Sequence, residues 1–305
     1  MNILYVLFTY QRPRILAEMM RTLLNNNETR PDRFLIADDG SDTNLKNSLY
    51  QFHIENRDTI PIDFFSFSQN NGLGYQWELC LNYAKIYDPQ YLFWLEQDYI
   101  FRKNGIDEAL EILKLKPLTC AVSLFSNPDY YNGKQNHFFS ELMIDLFKSD
   151  LAKREFLHKP FYIDTKFGKI QIQLTTNACG CCVMNWSRIR DLLDKYPEMW
   201  EKVFLRSCNV GNEKERKFAS DGHLTSGTSF YWYKDMEDRI KNGLEVDYNV
   251  MAPWLDICDY SVGNHINGGK FSLNGYIIPE MSSFVSSPKW VFQNSKEYDN
   301  FERTK

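Results

Sequence analysis

At 305 residues with 43% hydrophobic side chains, the chain is long enough to bury a full core, as one large domain or one and a half. A formal net charge of −5 supplies no global basic field to attract nucleic acid or an anionic membrane. No run approaches the roughly 18 apolar residues of a membrane span, and Met1 leads straight into Ile3-Leu4-Tyr5-Val6-Leu7-Phe8 with no basic n-region or cleavage site, so a soluble, cytoplasmic protein is expected.

The first hundred residues alternate strand and helix. Asn2 to Phe8 is β-rich and continuously apolar, as a strand covered on both faces should be. Pro13 then opens a helix carrying Ile15, Leu16, Met19, Met20, Leu23 and Leu24 at helical spacing, stopped by Asn25-Asn26-Asn27. Phe34 to Ala37 is a second strand ending in Asp38-Asp39-Gly40-Ser41, and Ser41 or Asp42 caps a helix through Leu45, Leu49 and Phe52. Ile62 to Phe67 is a third strand, Asn70 to Gly74 a turn, and Trp77, Leu81 and Ala84 one face of a third helix. Tyr91 to Leu95 is the fourth strand. Such alternation implies right-handed crossovers and a mostly parallel sheet.

Beyond this point the rhythm loosens. Ile106 to Leu115 reads as a helix and Cys120 to Phe125 as a strand, and residues 127–176 are polar, aromatic and irregular enough to be an insertion. Ala178 to Met184 is strand-like, Trp186 to Tyr196 helical, and Trp232 to Asn242 helical with Gly243 as its stop. The expected organisation is one domain over residues 1–265 and a C-terminal extension over 266–305. Seven cysteines, an odd number with Cys179, Cys181 and Cys182 crowded together, argue against a disulfide framework. A zinc site drawing on Cys179, Cys182, Cys208 and His223 lacks a second ligand pair at the usual spacing, so the cysteines read as small hydrophobes in a buried strand.

The apolar strand from Tyr91 ends abruptly in Glu96-Gln97-Asp98. Alternate residues of an extended chain point the same way, so Glu96 and Asp98 present two carboxylates to one point. Two such charges raise each other's pKa unless a cation lies between them, and hard oxygen ligands suit Mg²⁺ or Mn²⁺. In an open parallel sheet, ligands bind outside the carboxyl ends of the strands. Here those ends carry Thr9-Tyr10-Gln11-Arg12-Pro13, Asp38-Asp39-Gly40-Ser41, Asn70-Asn71-Gly72 and Glu96-Gln97-Asp98.

This ordered series resembles the family 2 glycosyltransferases and their relatives with the GT-A fold, well over residues 1–126 and loosely over 177–265. The resemblance implies an α/β Rossmann-like sheet flanked by helices. It also implies that Thr9, Arg12 and Asp39, with Asn71, Gly72, Glu96 and Gln97, hold a nucleotide-sugar donor, most often of uridine diphosphate. Glu96 and Asp98 occupy the place of the family's Asp-x-Asp metal motif, with Glu in place of the first Asp, so Asp98 is the direct ligand to Mn²⁺ or Mg²⁺. His265 falls where some GT-A enzymes place a late histidine that completes the metal shell. The Arg-Asn pair common at the start of the third helix is replaced by Trp77-Glu78.

By the same resemblance the general base lies in Lys234-Asp235-Met236-Glu237-Asp238-Arg239 ahead of Gly243, with Asp235 near the helix start first, Asp238 second and Asp221 next. The expected reaction is transfer of a hexose or pentose to an acceptor hydroxyl, with inversion. The acceptor stays open among glycan, protein, lipid-linked sugar and modified nucleic acid base. A non-catalytic sugar-nucleotide or glycan-binding module is the alternative, since Glu96 and the missing Arg depart from the pattern. A nucleotidyltransferase is the second, and it lacks its glycine-rich loop after the first strand.

Overall fold

The computed structural model describes residues 1–97, 99–101, 103–124, 161–174, 181–210, 212–213, 216–217, 219–244, 252–257 and 263–265. Among the described residues its frame is a nine-stranded sheet in the order β3 (Ile62–Ser66), β2 (Arg33–Asp38), β1 (Ile3–Thr9), β4 (Tyr91–Glu96), β9 (Cys182–Asn185), β6 (Ala121–Ser123), β12 (Trp254–Ile257), β8 (Gly168–Leu174) and β7 (Phe161–Thr165), while β10 (Asn212–Glu213) and β11 (Arg216–Lys217) pair with each other. One half is parallel: β1 (Ile3–Thr9) lies between β2 (Arg33–Asp38) and β4 (Tyr91–Glu96), and β3 (Ile62–Ser66) forms the outer edge. The connecting helices are α1 (Pro13–Asn25), α2 (Thr43–Asn56) and α3 (Leu73–Tyr87), where the sequence places them, with α2 and α3 running a turn past the last apolar positions expected, Phe52 and Ala84. Asp42 caps α2, its carboxylate accepting from the Leu45 N–H at 3.1 Å.

The other half is mixed. After the short β5 (Tyr99–Phe101) and α4 (Gly105–Leu115), β6 (Ala121–Ser123) runs parallel to β12 (Trp254–Ile257), and β9 (Cys182–Asn185) runs antiparallel between β4 and β6. Within the stretch expected to be an irregular insertion, β7 (Phe161–Thr165) and β8 (Gly168–Leu174) instead form a hairpin that extends the sheet through β12. Alternation explains it: Ile163, Ile170 and Ile172 face the core while Tyr162 stays exposed. The remainder of that stretch and residues 266–305 lie outside the described residues.

Apolar side chains pack on both faces of the sheet. One layer joins Tyr5, Leu7, Phe34, Ile36 and Phe93 to α1, α2 and α4. The other joins Val6, Phe8 and Trp94 to α3, to α5 (Trp186–Lys195), to a π-helical segment (Trp200–Leu205) and to α6 (Asp221–Lys241). Strands covered on both sides are continuously hydrophobic, which is why β1 and β4 were legible.

The largest departure from expectation is α6. It begins at Asp221, eleven residues ahead of the expected Trp232, and runs for 21 residues. Its first half, Asp221-Gly222-His223-Leu224-Thr225-Ser226-Gly227-Thr228-Ser229, is poor in intrinsic helix formers. Packing overrides propensity. The Thr225 and Thr228 hydroxyls donate to the carbonyls of Asp221 and Leu224, each at 2.7 Å, and Gly227 lets the helix lie against Val203, whose Cγ1 would be 2.6 Å from an added Cβ.

Candidate active site

The carboxyl ends of β1, β2, β3 and β4 meet along one edge of the sheet, as expected, and the loops there are tied to one another by buried side chains. Asp38 is fully buried and accepts from Thr9 Oγ1 at 3.3 Å, the Ser41 N–H at 3.1 Å and Ser66 Oγ at 2.7 Å. Thr9 is therefore turned toward its neighbouring strand. Asp39 accepts the Asn71 N–H at 2.7 Å on one oxygen and the Gly72 N–H at 2.9 Å on the other. This pins the turn before α3 to the end of β2. Gly72 leads into α3 with φ of 95°, where glycine is favoured.

Gln97 has a related role. Its carboxamide oxygen accepts the Tyr10 N–H at 3.0 Å while its nitrogen donates to the Tyr10 carbonyl at 2.7 Å, a two-point clamp between the β4 and β1 ends. Gln76 of α3, which the sequence reading passed over, donates to the carbonyls of Thr9 and Ala37 and closes the same edge from beneath. Between these clamps the β1–α1 loop carries two consecutive left-handed residues, Gln11 with φ of 55° and Arg12 with φ of 60°. For side chains larger than glycine each costs roughly 1–2 kcal/mol. Arg12 ends the loop half-buried, immediately before Pro13.

Glu96 closes β4, half-buried, its N–H donating to Cys181 Sγ at 3.2 Å. Asp98 lies outside the described residues. Backbone pairing brings His265 close in register: β13 (Gly263–His265) runs antiparallel to β5 with His265 opposite Tyr99. Among the described residues there is no group of three or more metal-ligating side chains. Cys80, Cys120, Cys181, Cys182 and Cys208 are free thiols and buried, while Cys179 lies outside the described residues.

Cys182 marks where the second half of the site joins the first. It pairs with Trp94 in the β4–β9 register, and its thiol is pushed well above the usual range, first by burial and then by the carboxylates of Asp221 and Glu96. Asp221, at the first position of α6, thus shares the neighbourhood of Cys182 with Glu96 at the end of β4. The start of α6 is fixed by Ser220, whose hydroxyl accepts the His223 N–H at 3.2 Å and whose own N–H donates to the Ser207 carbonyl at 2.9 Å.

Asp235 and Asp238 are placed differently. Because α6 starts at Asp221, Asp235 sits fourteen residues into it rather than near its beginning. It is 4% exposed and receives Arg188 and Lys195 of α5 together with Arg239 one turn on, with Lys195 Nζ at 2.9 Å and Arg239 Nε at 3.0 Å. Burial raises its pKa, but hydrogen bonds from Lys195, Arg188 and Arg239 outweigh this and pull it down to about 2. Asp238 is likewise lowered, chiefly by Lys195 at 2.8 Å and by the Tyr196 hydroxyl. Both bridge α5 and α6 through these contacts, and ion pairing of this kind weakens a carboxylate as a base at neutral pH.

No curated protein matches the chain. Among solved structures it is similar to a mannosyltransferase, PcManGT from Pyrobaculum calidifontis, in complex with GDP-Man and Mn²⁺ (14% identity, TM-score 0.46, covering 75% of this chain and 52% of that one). It is also similar to residues 1–349 of S. aureus TarS in complex with UDP-GlcNAc (11% identity, TM-score 0.48, covering 99% and 70%). A third similar structure is GalNAc-T7 with UDP, GalNAc and Mn²⁺ (12% identity, TM-score 0.46, covering 84% and 42%). The chain therefore spans about half the length of the mannosyltransferase. The model of glycosyl transferase family 2 matches residues 5–196, well over half of the chain and every strand end from Thr9 to Glu96, so the chain belongs to glycosyl transferase family 2, with the α/β GT-A architecture.

Proposed function

We propose that the chain transfers a sugar from a uridine diphosphate sugar to an acceptor hydroxyl, with inversion at the anomeric carbon and with Mn²⁺ or Mg²⁺ bound. The observation that carries this reading is the polar edge at the carboxyl ends of β1, β2 and β4, where Asp39 and Gln97 are locked onto neighbouring backbone; the charges of Glu96 at this edge and of Asp221 on α6 both act on the Cys182 thiol. Donor residues line the strand ends, and a potential base stands across from them on a separate element. That is the division of labour a transfer between two substrates requires.

The donor nucleotide occupies the edge formed by Thr9 to Arg12, Asp39, Asn71, Gly72, Glu96 and Gln97. Thr9, Asp39 and Gln97 are held by the hydrogen bonds described above, so the edge is pre-organised rather than assembled on binding. Asp98, Glu96 and His265 would hold the metal, and two carboxylates with an imidazole fit Mn²⁺ or Mg²⁺. When bound, the ion supplies positive charge beside the diphosphate. The acceptor oxygen attacks the anomeric carbon as its bond to the diphosphate oxygen breaks, the electron pair leaves with the diphosphate, and Asp221 takes the acceptor proton.

Thermal unfolding with added nucleotide tests the reading. Uridine diphosphate at about 100 times its dissociation constant should stabilise the protein by roughly 2.7 kcal/mol, with a smaller gain when Mn²⁺ is omitted or in Asp98→Asn. Equal shifts with guanosine and uridine diphosphates would overturn the donor assignment. Full metal dependence in Asp98→Asn would overturn the metal assignment.

A further inference from the structure

Two segments far apart in sequence meet at one lysine. Lys217 ends β11, four residues ahead of Asp221, and it grips the start of α3 in three ways. Its N–H donates to the Asn71 carbonyl at 3.1 Å, its ammonium group pairs with Glu78 at 2.7 Å, and Nζ lies 4.4 Å from the centre of the Tyr75 ring. The approach is close: a Cβ on Gly74 would lie 2.1 Å from the Cys208 carbonyl oxygen and 2.7 Å from Lys217 Cβ, so only glycine fits there. The peptide unit between Asn71 and Gly72 is used at both ends. Its carbonyl accepts from Lys217, and its N–H donates to Asp39 at 2.9 Å, so the two bonds polarise each other. On its other side Lys217 leads to Ser220, which caps α6 and is itself held by the Ser207 carbonyl.

Resting on the donor and base readings above, we propose that Lys217 is a positioning residue: it registers the start of α6, and with it Asp221, against the Asn71–Gly72 turn of the donor edge. Its ammonium group is spent on Glu78 and Tyr75, so it acts through placement and not through a ligand. Two paired residues on each of β10 and β11 are too few to hold a register alone. The ties at Lys217 and Ser220 run to different elements, α3 and the end of the π-helical segment, and together they set the direction in which the chain enters α6. A base has to stay within hydrogen-bond reach of the acceptor proton while the donor is held, and a tie from the donor turn to the base helix keeps the two in one frame. Ordering of the turn by a nucleotide is then passed on to the first turn of α6.

Amide hydrogen exchange in Lys217→Met, which keeps the aliphatic stem and removes the charge, provides the test, with Lys217→Arg as the conservative control. The reporters are the N–H groups of His223 and Leu224, both bonded to Ser220, and the amides of β1 serve as an internal standard. In the free protein Lys217→Met should exchange about fivefold faster at His223 and Leu224, with β1 unchanged and Lys217→Arg close to wild type. Saturating uridine diphosphate with Mn²⁺ should slow exchange at Asn71 and Gly72 in both proteins. In wild type the slowing should extend to His223 and Leu224, and in Lys217→Met that extension should shrink by a similar factor. Unchanged exchange at His223 and Leu224 in free Lys217→Met would overturn the proposal. So would equal acceleration in β1, which would show that the lysine serves the fold as a whole, or nucleotide-induced slowing at His223 and Leu224 that survives in full without the charge. If wild-type protein binds no uridine diphosphate, the donor reading fails, while the free-protein comparison still decides whether Lys217 holds the start of α6.

Discussion

Replacing Asp235 with Asn separates an anchor from a catalyst. In the folded protein the carboxylate receives Arg188, Lys195 and Arg239, and the Arg188 side chain is only 3% exposed with no second carboxylate among the ion pairs of the described residues. The amide keeps the shape and one acceptor oxygen but strands a buried guanidinium without its counter-charge. Breaking a buried pair from one side costs about 3–5 kcal/mol, and the retained oxygen together with the partial exposure of Lys195 and Arg239 points to the lower end, about 3 kcal/mol. For a chain of 305 residues that is a fall in unfolding temperature of about 5 °C by calorimetry. The pH dependence has a definite sign. With its folded pKa pulled down to about 2, Asp235 contributes stability above the ordinary carboxylate range, lost as pH falls from about 4 through about 2. Asp235→Asn should lack that component. Turnover per folded molecule should stay near wild type. A variant with wild-type unfolding temperature and turnover reduced a hundredfold would refute the anchor role and restore Asp235 as the base.

The complementary variant is Asp221→Asn, for which turnover should fall about 10²-fold or more while uridine diphosphate affinity and unfolding temperature hold. Loss of donor binding instead would place Asp221 with the donor residues. Gly40→Ala probes the rigidity of the donor edge: with φ of 72° and a would-be Cβ 2.2 Å from the Gln69 carbonyl carbon, the methyl group meets backbone that cannot swing aside. Destabilisation of at least about 2 kcal/mol is expected, together with weaker donor binding, and a neutral result would mean that the 40–41 and 69–72 loops are free to separate.

How much of this was legible follows from which forces set each element. The strands β1, β2 and β4 are buried on both faces, so local hydrophobicity and tertiary environment agree, and the ends of these strands could be located from composition alone. The polar clusters at their carboxyl ends followed. What those side chains do was less legible. Asp39 looks like a ligand-reading acid in the sequence, and it is also the acceptor for two backbone N–H groups thirty-odd residues away. Gln76 gave no signal beyond its residue type, and Gln97 was picked out as a donor residue but not as the clamp on Tyr10, because the partners of both are main-chain groups that every sequence possesses.

The start of α6 was missed for a reason that reaches into the mechanism. Ser, Thr and Gly at positions 225–229 lower helix propensity, so a reading by propensity begins where Trp232 supplies an apolar face, and from there Asp235 falls near the first turn. Tertiary contacts reverse that. Gly227 admits Val203, and the small residues let α6 pack closely against the π-helical segment. Had this segment been built from stronger helix formers, the bulk at Gly227 would push α6 away and withdraw Asp221 from Cys182 and Glu96. The low propensity that obscured the helix in the sequence thus goes with the close approach of α6 to Val203. The same logic separates the two acids: position along α6, set by packing and not by spacing to Gly243, leaves Asp235 among cations and Asp221 in the first turn, where its charge acts on Cys182 together with that of Glu96.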